Sequence, residues 1–165
     1  MDLHHKKVLV VGLGKTGEAL VHFLLGRGAK VKISEKKLSQ EIGDQIRYWQ
    51  GKGVDVETGG HTLASFLDAD LIVPSPGVPP LEESAAARKK GVPILSEIEV
   101  AFRFLKGRIV GITGTNGKST TVTLLHKIMK EAGLPAHLAG NIGPPLISFV
   151  DAGRDDHIYV TEISS

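Results

Sequence analysis

The residue types best suited to chemistry are Gly114-Thr115-Asn116-Gly117-Lys118-Ser119-Thr120. Arg108 to Ile112 reads as a short buried strand, and 119–132 as a helix with Val122, Leu125, Ile128 and Met129 on one face. Strand, glycine turn, lysine plus hydroxyl, then helix is the order that cradles a polyphosphate. Glycines let backbone N–H groups approach the anion, and the helix adds the positive end of its dipole. Lys118 can reach the outer phosphates, and Ser119 can ligate the Mg²⁺ that accompanies them. The strict GxxxxGK[ST] spacing is not met, because Ile112 stands five positions before Gly117. The competing reading is a tight turn with a surface lysine. Farther on, 157–163 is an apolar strand broken by Glu162. A carboxylate at a strand end beside a phosphate loop is where a nucleoside triphosphatase holds its metal, and a solvent-facing glutamate is the alternative.

A second glycine-rich stretch lies near the start. Lys7 to Val11 is a continuous apolar run, as in a strand buried on both faces of a parallel sheet. Gly12-Leu13-Gly14-Lys15-Thr16-Gly17 follows and matches GxGxxG at the mouth of a helix, where Leu20, Phe23 and Leu24 repeat at helical spacing. A strand at 30–34 then runs into Glu35, about twenty residues past the glycines. On those residues alone this is the dinucleotide-binding fingerprint, with Glu35 placed for a ribose and NAD the expected ligand. Lys36 and Lys37 beside it suit a phosphate-bearing ligand. A glycine turn serving only packing is the alternative. A third stretch, Pro74-Ser75-Pro76-Gly77-Val78-Pro79-Pro80, stiffens the exit of a strand at 71–73, on the side where open α/β sheets bind ligands. Ser75 and the Gly77 backbone either contact the ligand there or form a rigid turn only.

Composition narrows the classes. A net charge of +2 without a Lys/Arg cluster argues against nucleic acid as partner. Zero cysteines removes disulfides, thiolate metal sites and cysteine nucleophiles together, and fits a cytoplasmic protein. No apolar run approaches membrane-spanning length, and 1–7 is polar rather than a leader. The seven histidines have no ligand-like spacing: His4 and His5 read as an exposed tail, and His22, His126 and His137 as helix or loop faces.

The remaining elements alternate. Leu38, Ile42, Ile46 and Trp49 mark a helix face, 54–57 a strand, 81–90 a helix, 92–95 a fifth strand and 97–105 a helix. Five strands with intervening helices complete a small parallel sheet, and the pattern restarts at Arg108. The fold class expected is α/β: a Rossmann-like domain over 1–96, then the start of a P-loop-type ATP-binding domain over 97–165. Within the latter, 136–139 reads as a strand and Gly140-Asn141-Ile142-Gly143 as a tight turn, with Asn141 free to hydrogen-bond. Asp155 and Asp156 read as solvated loop residues. Residues 97–165 supply too little for a sheet covered on both faces, so the chain reads as the amino-terminal part of a larger enzyme.

GLGKTG at 12–17, SPGVP at 75–79, GTNGKST at 114–120, GNIG at 140–143 and TEISS at 161–165 stand in one order. In that order the whole chain resembles the Mur ligase family, the ATP-dependent amide ligases of peptidoglycan synthesis. GxGxTG followed by an acid at the second strand end is most similar to the branch that adds D-glutamate to UDP-N-acetylmuramoyl-L-alanine. The charged Lys15 departs from the bulky apolar residue many relatives carry after the second glycine. The resemblance implies that ATP phosphorylates the L-alanine carboxylate and that the D-glutamate amine then attacks the acyl phosphate. Lys118 and Glu162 would be catalytic, Gly114 to Thr120 would cradle the phosphates, and Ser119 and Glu162 would hold Mg²⁺. Gly14, Lys15, Thr16, Gly17, Glu35, Lys36, Lys37, Ser75, Pro76, Gly77 and Asn141 would hold the UDP-sugar. It further implies a cytoplasmic enzyme, monomeric at full length, whose second-metal ligands and amino-acid-binding domain fall beyond Ser165. The chain alone would lack ligase activity. Two other classes explain only half the motifs each. A nicotinamide-dependent oxidoreductase leaves the Gly-Lys-Ser-Thr loop unused, and a P-loop regulatory NTPase leaves the first domain idle.

Overall fold

The computed structural model describes residues 1–164. The run Lys7–Val11 forms β1, and four of its five residues are buried, as a central parallel strand requires. Helix α1 (Lys15–Gly26) lays Leu20, Val21, Phe23 and Leu24 against the sheet. Next come β2 (Lys30–Glu35), α2 (Gly43–Gln50), β3 (Asp55–Thr58), α3 (Leu63–Leu67), β4 (Leu71–Pro74) and α4 (Glu82–Lys89). The strands are all parallel, in the order β3-β2-β1-β4. Register pairs Val11 with Ser34 and Pro74, and Glu35 with Thr58. All four strand exits therefore open on one edge of the sheet, the edge that carries the glycine turn.

Several expected boundaries shift for local reasons. The fifth strand shrinks to a single bridge, Ile72 to Ile94. Ile72 N–H donates to the Pro93 carbonyl and Leu95 N–H to the Ile72 carbonyl, both at 3.0 Å, but neither Pro93 nor Pro74 has an N–H to extend the ladder. Leu38 is exposed and outside any helix. Leu38 N–H donates to the Glu41 carboxylate and Glu41 N–H to the Leu38 carbonyl, and this closed turn delays α2 to Gly43. Helix α3 is five residues long, too short to show a period in the sequence.

The chain divides into two compact units, Met1–Ser96 and Glu97–Ser165. The second contains α5 (Glu97–Phe102), β5 (Arg108–Ile112), α6 (Lys118–Glu131), β6 (Ala136–Gly140), a 3₁₀ turn over Leu146–Phe149 and β7 (Ile158–Glu162). Its three strands are parallel, in the order β5-β7-β6. Central β7 is buried over Tyr159 to Glu162. Edge strand β5, expected to be buried, has no fully buried residue. Helix α6 likewise buries only Val122 fully and leaves Leu124 and Ile128 more than half exposed. The expected 97–105 helix ends at Phe102, followed by turns from Arg103 and Phe104 back to Val100 and Ala101.

Candidate functional site

The first cluster gathers at the carboxyl edge of the four-stranded sheet. Gly17, one turn into α1, is pressed against the turn before it. A Cβ there would stand 2.1 Å from the Gly12 carbonyl oxygen, so only glycine lets the helix begin this close to β1. A Cβ at Gly14 would meet nothing within 4 Å, which leaves open space at the helix mouth. Two side chains brace the turn. Ser75 Oγ donates to the Gly12 carbonyl at 3.0 Å, tying the β4 exit to the β1 exit. The buried Glu35 carboxylate accepts from Leu13 N–H at 2.5 Å and from Lys37 N–H at 3.0 Å. Both of its oxygens are thus engaged by the loops they organise. Lys15, Lys36, Lys37, Pro76 and Gly77 are exposed around this edge, and Thr16 is half-buried.

A polar knot that the sequence does not announce lies one strand farther out. Glu57, on β3, accepts from Ser34 Oγ at 2.6 Å, from Thr62 N–H at 3.2 Å, from Thr62 Oγ1 at 2.9 Å and from Ser65 Oγ. Lys32 Nζ stands 3.5 Å away. Burial pushes the Glu57 carboxyl up, but the hydrogen bonds from Ser34, Ser65 and Thr62 outweigh it and hold the pKa down at about 2. His61 Nδ1 meets Ser34 Oγ at 2.7 Å. Acidic and hydroxyl residues on neighbouring strands carry no spacing signature, so only the β2–β3 register reveals the cluster.

The second cluster gathers at the carboxyl edge of the three-stranded sheet. Register sets Glu162 between Ile112, at the mouth of the phosphate loop, and Gly140, at the start of the Gly-Asn-Ile-Gly turn. Glu162 is 6% exposed, which removes the solvent-facing alternative. It accepts from Ser119 Oγ at 2.7 Å, bringing together two residues 43 apart in the chain. The loop takes backbone conformations that favour glycine, with φ of +141° at Gly114 and +77° at Gly117. Lys118 Nζ folds back onto the Gly114 carbonyl. Thr115, Asn116, Ser119 and Thr120 are exposed on the loop and first helical turn. Asn141 N–H donates to the Glu162 carbonyl at 3.1 Å, and its side-chain amide pairs with Ser164 Oγ at 2.8 Å. Asn141 therefore belongs to the second unit. The TEISS stretch is described as far as Ser164, and Ser165 lies outside the described residues.

Another buried acid escaped the sequence reading. The Glu97 carboxylate accepts from Ile147 N–H at 2.6 Å and caps the 3₁₀ turn. Burial pushes its pKa up, against the bonds from Ile147 and Leu146. Of the two loop acids, Asp156 is held by Arg154 in a two-pronged pair at 3.0 and 2.9 Å.

The family model described as Mur ligase MurD-like, N-terminal domain, matches residues 6–96, more than half of the chain. The chain belongs to the MurD-like Mur ligase family. Among curated relatives it is 46% identical to the UDP-N-acetylmuramoylalanine–D-glutamate ligase of Koribacter versatilis and 48% identical to that of Acidobacterium capsulatum. Each match covers all of this chain but only 37% and 36% of the relative, so the chain spans little more than a third of their length. Among solved structures, a pseudomurein peptide ligase type C from Methanothermus fervidus matches over 97% of the chain and 33% of its own, with a TM-score of 0.52 and 29% identity. The UDP-N-acetylmuramate–alanine ligase of Thermotoga maritima matches over 97% of this chain and 37% of its own, with a TM-score of 0.52 and 21% identity, and shares the fold.

For a MurD-like Mur ligase the donor set at Glu162 can be tested for Mg²⁺. A hydroxyl and a buried carboxylate 2.7 Å apart are both hard oxygen donors. Among the described residues no group of three or more His, Cys, Asp or Glu could hold a metal ion. Two protein oxygens suit Mg²⁺, which keeps several waters and takes further ligands from substrate phosphates. The residues fit that ion.

Proposed function

We propose that this chain is the nucleotide-handling front of an ATP-dependent ligase that adds D-glutamate to UDP-N-acetylmuramoyl-L-alanine. In this reading the first unit holds the UDP-sugar and the second the triphosphate of ATP. The observation that carries it is the meeting of Ser119 and Glu162 beside the glycine loop, in a chain 46–48% identical to ligases named for that reaction. The dinucleotide alternative is weaker, because it leaves the glycine loop of the second unit and its Ser119–Glu162 contact unused.

The chemistry divides into two steps. The L-alanine carboxylate attacks the γ-phosphorus, the bond to the β-γ bridging oxygen breaks, and ADP leaves. The amine of D-glutamate then adds to the acyl phosphate carbonyl, loses a proton and expels inorganic phosphate. Residues of this chain serve the first step by positioning and charge neutralisation. Backbone N–H groups from Gly114 to Thr120 cradle the phosphates. Lys118 leaves the Gly114 carbonyl to follow the γ-phosphoryl group. Ser119 and Glu162 would hold Mg²⁺, which when bound would neutralise charge on the phosphate oxygens. Gly14 to Gly17, Lys36, Lys37 and Ser75 to Gly77 form the UDP-sugar set, with Glu35 holding the loops around it.

Among the described residues no helix is long and apolar enough to cross a membrane, and the enzyme is proposed to work in the cytoplasm as a monomer. The test is D-glutamate-dependent phosphate release by the whole ligase containing this segment. Lys118→Ala lowers turnover about 10²- to 10³-fold, the range for losing one preorganised charge-stabilising donor. Turnover unchanged by Lys118→Ala would refute the assignment. The 165-residue chain alone releases no phosphate in response to D-glutamate.

A further inference from the structure

The Glu57 knot ends in the His61 imidazole, which packs edge-on against buried Phe66 with ring centroids 6.1 Å apart. Ser34 is fully buried, and its hydroxyl lies 2.6 Å from Glu57 Oε1 and 2.7 Å from His61 Nδ1. Glu57 gathers donors from Ser34, Thr62 and Ser65, the environment of an ionised carboxylate, which can only accept. The single Ser34 proton therefore points at Glu57. Only lone pairs remain on Ser34 Oγ for His61, so Nδ1 must carry the ring proton. The far nitrogen, Nε2, is then an acceptor in the neutral ring.

The place of this acceptor in the fold follows from the sheet. Gly59 N–H donates to the Lys37 carbonyl at 2.9 Å, and Gly60 N–H reaches the Glu35 carbonyl at 3.5 Å. The β3 exit is thereby tied to the loop that follows β2. Adjacent strands are about 4.8 Å apart, so the β3 exit stands roughly 10 Å from the β1 exit and its glycine turn. In doubly wound sheets phosphates sit at the first helix mouth and the ribose at the second strand exit, and the base extends past it. His61 is half-buried at the end of that line.

We propose that His61 reads the nucleoside, its Nε2 accepting a hydrogen bond from a donor on the ligand, the ring N–H of uracil. A ribose hydroxyl has the same chemistry and is the second source to separate. The inference rests on the first unit binding a uridine nucleotide.

Two measurements on the full 165-residue chain test it. In the free chain, ¹⁵N–¹H correlation of the histidine rings shows the neutral His61 ring protonated at Nδ1; a ring protonated at Nε2 overturns the proposal without any ligand. In the second, UDP, its N3-methyl analogue and 2′-deoxy-UDP are titrated into the parent chain and His61→Phe. N3-methylation weakens parent binding about ten-fold, the size of one hydrogen bond, and leaves His61→Phe unaffected. A penalty of equal size in both proteins overturns the proposal while leaving UDP binding intact. A His61-dependent penalty for the deoxy analogue alone transfers the contact to the ribose and overturns the base assignment. No binding of UDP by the parent removes this proposal and the UDP-sugar reading together.

Discussion

The two units each carry a glycine-rich strand-to-helix loop, one on a four-stranded and one on a three-stranded sheet. In the first, the loop is braced from both sides by Ser75 and Glu35, and the strand beneath it is buried over Val8 to Val11. In the second, the loop leads into a helix that buries only Val122 fully, beside an edge strand with no fully buried residue. A parallel strand is ordinarily covered on both faces. Phe102 on α5 is 70% exposed and Leu124 on α6 57%. The contrast teaches where this chain is self-sufficient. The glycine turn of the first unit is organised by that unit's own side chains, whereas the second unit has a formed loop on a half-covered support.

The sharpest way to break that contrast is to make the same substitution in both units. Leu20→Ala, in the fully buried face of α1, costs about 2–5 kcal/mol in urea unfolding, as buried leucine truncations do. Leu124→Ala on α6 stays within about 0.5 kcal/mol, as at an ordinary surface position. Equal losses would show that the second unit is as well packed as the first.

The brace comes next. Glu35→Ala leaves the Leu13 and Lys37 N–H groups without their acceptor and costs about 1–3 kcal/mol, with weakened UDP-sugar binding. Calorimetry alongside denaturation measures both. A variant that binds normally would reduce Glu35 to a bystander.

Acid titration separates the units further. The folded pKa of Glu57 is depressed, so its contribution is complete above its unfolded value of 4.5 and is lost as pH falls toward about 2. Urea midpoints between those limits drop for the parent and less steeply for Glu57→Gln. In the second unit, burial and neighbouring His157 lower the pKa of His137, whose Nε2 is buried without a partner. A histidine held neutral in the fold contributes fully above its unfolded value of 6.5, and that contribution is lost as pH falls below 6.5 toward the lower folded value. His137→Phe flattens this window, the smallest effect expected. A midpoint that rises on acidification below 6.5 would reverse the sign.

The motifs that carry backbone conformation were the legible part of the sequence. Glycines at 12, 14 and 17, the loop at 114–120 and the apolar run at 7–11 announce strand–turn–helix units, because each depends on residues adjacent in the chain. The α/β class with parallel sheets followed from their alternation. Contacts between distant segments were not legible. Glu35 stands where a ribose-binding acid is expected, yet its oxygens face Leu13 and Lys37. The Glu57–Ser34–His61 knot arises only when β2 and β3 pair. Pro93 shows the converse, a residue within an apolar run whose missing N–H keeps that run to a single bridge.

The claim that the first unit is a UDP-sugar holder is tested most directly by titrating the chain with UDP-N-acetylmuramoyl-L-alanine, NADH and Mg-ATP in parallel, followed by backbone NMR shifts. The UDP-sugar is predicted to move Gly14 to Gly17, Glu35 to Lys37 and Ser75 to Gly77, with NADH leaving them in place. Shifts at those residues with NADH and none with the UDP-sugar would contradict it and return the glycine turn to the dinucleotide reading.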